Sequence, residues 1–294
     1  MFTKALKSII TLNAEESLNI YAVDEFENKD SITFAPCGEY QESKIGFVPL
    51  ADDGEFVRSV VDYRILQVGI SVKKVNKNKL KKLTAKEIER LIKEAAERGE
   101  ELNPTKDFKK DIEEQIRHSL LPETESTEKF SYVIYDTTNN RLHITGVTKN
   151  LSEDITAFIR SVTESLPVTP CVEDTLAVVH AFNECAINGP YNRFTLGEYI
   201  VLENEEGKVV WSKESLYQCQ DKIEEIVGEG KHVTTIGLEF DGIIKLIVNS
   251  EFNLTGVKFP KNFSEETSFD GDVILCMKEI RSVFEDLKEM VDSK

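Results

Sequence analysis

From Arg64 to Val75 the apolar positions Ile65, Leu66, Val68, Ile70 and Val72 mostly alternate with polar ones, which predicts a strand. The period then becomes helical. Thr84-Ala-Lys-Glu87 reads as a capping box, with Ile88, Leu91, Ile92, Ala95 and Ala96 on one face behind it and Gly99 as the stop. A second helix is predicted from near Thr105, with Phe108, Ile112, Ile116 and Leu120 four apart and Pro122 closing it. Together these two form an αα-hairpin with charged outer faces.

Further along, Phe130 to Asp136 and Arg141 to Val147 flank Thr137-Thr138-Asn139-Asn140 as a β-hairpin. Ser152 is the expected cap of a helix whose stripe is Ile155, Phe158, Ile159 and Val162. The stretch from Glu184 to Asn204 has no clear period, and Gly189-Pro190 reads as a turn. Ile223, Ile226 and Val227 mark a short helix before Gly228. His232 to Phe240 and Ile243 to Val248 surround Asp241-Gly242, a strong hairpin signal, and Leu254 to Phe259 can add a third strand. Val273, Met277, Ile280, Phe284, Leu287 and Val291 then predict a C-terminal helix with Asp272 as its cap. Strands and helices cluster rather than alternate, so the expected class is α+β with mixed, largely antiparallel sheets. The expected organisation is a central region of residues 1–75 and 130–175, a helical region of 76–129 and a C-terminal α+β region of 176–294.

Composition adds a soluble globular class: 294 residues, 40% hydrophobic and 30% charged, with no apolar run near the ~18 residues of a membrane span. A cytoplasmic address is the resulting expectation. Net charge is −17, which by itself argues against a nucleic-acid partner. The distribution changes that picture. Lys73, Lys74, Lys77, Lys79, Lys81, Lys82 and Lys86 fall within 14 residues that hold no acid, so the rest of the chain carries −24. The cluster reads either as a solvated lysine-rich loop or as a face presented to phosphates.

Candidate chemistry is sparse. Cys37, Cys171, Cys185, Cys219 and Cys276 have no zinc-ligand or redox spacing and read as buried structural thiols. His118, His143, His180 and His232 form no metal motif. Gly228-Glu-Gly-Lys231 lacks both the preceding glycine and the following hydroxyl of a phosphate loop. No nucleophile elbow, kinase set, dinucleotide fingerprint or acidic metal constellation argues for an enzyme, and no cofactor is expected.

Five blocks read together carry a resemblance. Thr33-Phe-Ala-Pro-Cys-Gly38 followed by Gly46-Phe-Val-Pro49, His118-Ser-Leu-Leu-Pro122, Ser165-Leu-Pro-Val-Thr-Pro170, Gly230-Lys-His-Val-Thr234 with Leu238-Glu-Phe240, and Leu254-Thr-Gly-Val-Lys-Phe259 resemble, in order, the signature segments of the bacterial RdgC family of recombination-associated proteins. The resemblance implies a horseshoe-shaped α+β subunit with a projecting helical finger, closing into a ring as a homodimer. It also implies sequence-independent binding of double-stranded DNA, a nucleoid-associated address, and restraint of a RecA-type recombinase. Lys213 and Lys231 match family lysines, and with Lys73, Lys74, Lys77, Lys79, Lys81 and Lys82 they form the expected DNA-binding set. After Pro122 the family has basic and aromatic residues, whereas this chain has Glu123, Glu125 and Glu128. That departure leaves a second reading open, an acidic interaction protein of the same family with reduced or no DNA binding.

Overall fold

The structure is a computed structural model that describes residues 2–50, 54–189, 191–261, 263 and 268–292. Among these residues the strands are β1 (Ser8–Ala14), β2 (Ser43–Val48), β3 (Arg58–Val60), β4 (Tyr63–Lys73), β5 (Ser126–Asp136), β6 (Arg141–Thr145), β7 (Val168–Pro170), β8 (Phe194–Asn204), β9 (Gly207–Ser212), β10 (His232–Phe240), β11 (Ile244–Asn249) and β12 (Leu254–Lys258). The helices are α1 (Lys29–Ile32), α2 (Lys77–Glu97), α3 (Lys106–Leu120), α4 (Lys149–Thr163), α5 (Thr175–Asn188), α6 (Gln220–Gly228) and α7 (Phe269–Asp292). The class is α+β with a large open antiparallel sheet.

Contacts divide the chain into two units. The first comprises residues 1–27, 49–67 and 131–294, and the second residues 28–48 and 68–130. The helical segment 76–129 falls in the second unit, which also takes in 28–48.

In the first unit the strand order is β6-β1-β12-β11-β10-β8-β9, with β7 beside β1 and the end of β5 beside β6. The Asp241-Gly242 hairpin forms as the sequence predicts, both residues having positive φ (51° and 65°). Helix α7 buries Val273, Cys276, Met277, Ile280, Val283, Phe284, Leu287 and Met290 in the main core, where α5 also packs. Arg281 on α7 donates two hydrogen bonds of 3.0 Å to the buried Asp136 carboxylate at the end of β5.

In the second unit β2 pairs with β4, and α2 packs on α3. Here the first resemblance block acquires a physical reason. Phe34 lies so close to Gly46 and Gly69 that a Cβ on either would come within 2.5 Å of it, and its ring meets Phe130 edge-on at 5.4 Å. Both glycines are therefore required by packing rather than by backbone freedom.

Several boundaries differ from the sequence reading. Helix α2 starts at Lys77, seven residues before the expected capping box, because Asn76 Oδ1 accepts from the N–H groups of Asn78 and Lys79. Thr84 sits mid-helix and its hydroxyl donates back to Leu80 O. Ser152 likewise lies inside α4, whose N-cap is Thr148. Asp272 is in the first turn of α7, while Ser268 Oγ accepts from Gly271 N. The unpatterned stretch contains the end of α5 and all of β8, and Pro190 of the expected turn lies outside the described residues. Thr105 caps α3 as expected. Of the five cysteines, Cys185, Cys219 and Cys276 are buried while Cys37 and Cys171 are half-buried, a correction to the uniform reading, and all five are free thiols.

Candidate nucleic-acid interface

Charge is divided as sharply as the contacts are. The second unit has 17 basic and 16 acidic residues, net +1, while the first has 19 basic and 37 acidic, net −18. Within the second unit the lysines open α2, whose first turn holds no acid. Cations there oppose the helix dipole, an arrangement that costs a few tenths of a kcal/mol to ~1 kcal/mol per charge and strengthens the local positive field. Five of the seven lysines of the cluster are thus on a helix, while Lys73 ends β4 and Lys74 lies in the link between β4 and α2.

A helix separates these lysines by direction. Lys77 and Lys81, one turn apart, join Lys73 and Lys74 in lining a depression of about 760 Å³ together with Glu42, Asn78, Leu80, Glu113 and Arg117. Lys79 points elsewhere and pairs with Glu123 at 2.9 Å, so one acid of the departing segment neutralises one lysine of the cluster. That exposed pair contributes at most ~1 kcal/mol. Lys82 is exposed on the same outer side of the helix as Lys79.

Two expected site lysines are engaged with backbone. Lys73 Nζ donates to Glu39 O at 2.8 Å and Leu121 O at 3.0 Å. Lys231 Nζ donates to Asn204 Oδ1 at 2.8 Å and Gly207 O at 3.2 Å, which fastens it to the β8–β9 turn of the first unit. Lys213, also in the first unit, has a left-handed backbone (φ 71°) and lines a separate depression in the sheet. Of the six expected lysines in the second unit, four line one depression. Lys73, Lys74, Lys77 and Lys81 are brought together, and Arg117 is a partner the sequence reading missed. Its position in the last turn of α3, facing α2, is the signal that was present.

Beside this depression, His118 stacks on Tyr40 with ring centroids 4.9 Å apart and 14° between planes. Leu120 and Leu121 of the same block are buried, as is Leu166 of the next block, whose β7 pairs with β1. Much of what the resemblance rests on is packing. A family model described as "RdgC: Putative exonuclease, RdgC" matches residues 6–294. The chain belongs to the RdgC family. Relatives include the recombination-associated protein RdgC of Yersinia enterocolitica, 25% identical, and that of Yersinia pestis, 24% identical, each alignment covering 96% of this chain and 95% of the relative. Like them it is an RdgC-type, recombination-associated protein. Among the described residues no three His, Cys, Asp or Glu side chains are grouped as a metal ion would require, and no helix is long and apolar enough to cross a membrane.

Proposed function

We propose that this RdgC-family protein is a non-enzymatic, sequence-independent binder of double-stranded DNA that modulates homologous recombination by limiting recombinase access. The observation that carries the reading is the lysine-loaded N-terminus of α2. Lys74, Lys77 and Lys81 line one depression with Arg117, in a unit whose net charge is +1 while the rest of the chain is strongly acidic. Phosphate contacts need no base-reading side chains, and a helix N-terminus carrying lysines suits an anionic backbone. In this reading the acidic first unit keeps DNA away from everything except that surface. The family resemblance adds the finer form of the proposal, a horseshoe-shaped subunit with a helical finger that closes as a homodimeric ring in the cytoplasm, associated with the nucleoid.

The pairing of Lys79 with Glu123 and the backbone engagement of Lys73 and Lys231 favour the second reading, an acidic RdgC-type interaction protein with weakened DNA affinity. A gel shift with two unrelated duplexes separates the readings. Equal retardation of both, competed by heparin, supports the DNA binder, and no retardation at low salt leaves the interaction protein.

A further inference from the structure

The sheet of the first unit is dented at one place. The β10–β8 register slips between Ile236 and Leu238, and the β11–β12 register slips between Lys245 and Ile247. Gly197, Gly237 and Gly256 stand at these slips. A Cβ on Gly197 would lie 3.0 Å from Gly237 C and O, one on Gly237 would lie 3.1 Å from Tyr199, and Gly256 has φ +60°. Glycine is what lets the strands pinch and bulge here, and bulges bend a sheet and re-aim its side chains. The result is a concavity of about 350 Å³.

Its rim is built for an anion with a flat apolar part attached. Lys213, Lys245 and Lys258 line it, as do Ser212 and Ser215, while Tyr199 and Ile247 are half-buried along its wall. Glu198 and Glu239 are also present, and Glu239 holds Lys245 at 3.7 Å. Among the described residues neither Lys213 nor Lys258 has a carboxylate within 4.0 Å. Two ammonium groups and two hydroxyls match phosphoryl oxygens, and a tyrosine ring beside them matches the face of a base. A duplex is too wide for so small a hollow.

We infer that this concavity binds one nucleoside phosphate, its phosphate on Lys213 and Lys258 and its base against Tyr199 and Ile247. The inference rests on the nucleic-acid reading above but assigns an unpaired nucleotide to a different unit from the α2 lysines. The nucleotide has two sources, a position within a single strand or a free mononucleotide or strand end.

The test uses the full chain and fluorescence anisotropy of a short single strand labelled at its 3′ end, with dAMP as competitor. Lys213→Ala/Lys258→Ala is expected to weaken strand binding about tenfold or more, and Glu239→Gln, which frees Lys245, to tighten it. Displacement by dAMP assigns the site to a mononucleotide or strand end, and failure of dAMP to compete assigns it to an internal nucleotide. Circular dichroism and the fluorescence of Trp211, the chain's sole tryptophan, check that the variants fold. Wild-type affinity of the folded double variant for both strand and dAMP would overturn the inference, whatever happens to duplex binding. Loss of duplex binding in α2 variants with single-strand binding intact would instead separate the two sites.

Discussion

Lysine content alone does not say what a lysine does, and Lys73 and Lys77 illustrate the difference. Lys77 is exposed at the helix start, whereas the half-buried Lys73 ammonium joins two backbone carbonyls from separate segments of the second unit. Lys73→Ala should therefore lower stability by about 1–2 kcal/mol, since hydrogen bonds to a charged group are lost. It should leave the salt dependence of DNA binding nearly unchanged, and urea titration beside a salt series measures both. His143 makes a second prediction. It is fully buried, its Nδ1 lies 2.9 Å from Thr11 Oγ1, and burial pushes its pKa from 6.5 down to about 3, against an opposing pull from Asp136 and with Arg141 and Arg281 reinforcing it. The folded state holds the ring neutral while the unfolded chain protonates it, so its contribution is whole above pH 6.5 and is lost as pH falls from there toward 3. Between pH 6 and pH 4 the wild type should lose about 1 kcal/mol per pH unit more than His143→Gln, read from urea midpoints at each pH.

At the level of elements, caps decide where the basic face begins. Asn76→Ala removes the acceptor for two N–H groups and should cost about 1 kcal/mol, fraying the turn that carries Lys77 and Lys79. Thr84→Ala should instead stabilise α2 by about 0.5 kcal/mol, because Thr84 is an interior residue whose hydroxyl only bonds back to Leu80 O. Thermal melts of the two variants distinguish this geometry from a helix starting at Thr84. The strand pairs around Asp241-Gly242 and Thr137 to Asn140, and the stripe of α7, were legible because one periodic face is buried. Helix α5 was not: Leu176, Ala177, Val178, Val179, Ala181, Phe182, Cys185, Ala186 and Ile187 make it apolar on nearly every side, so no helical period stands out. In β8 the alternation is broken at Gly197, where the register against β10 shifts. The site was legible only as a local lysine run. Arg117 lies 36 residues beyond Lys81, and Lys245 and Lys258 are brought to Lys213 by strand order alone, which spacing in sequence does not reveal.

For the whole molecule, the division of charge is the feature that would make the proposed DNA binding compatible with a net charge of −17. On that proposal a basic helix on a nearly neutral unit would attract the duplex, and the acidic remainder would limit how much of the protein lies against it. The binding strength should then be dominated by counterion release and fall steeply with salt. The most direct test is the slope of log K against log salt for a random duplex, comparing wild type with Lys74→Ala/Lys77→Ala/Lys81→Ala. Each phosphate contact contributes a slope of about −0.9, so the triple variant should be shallower by roughly 2 to 3 units and weaker for unrelated sequences alike. An unchanged slope in the triple variant, with its helix content intact by circular dichroism, would contradict the account.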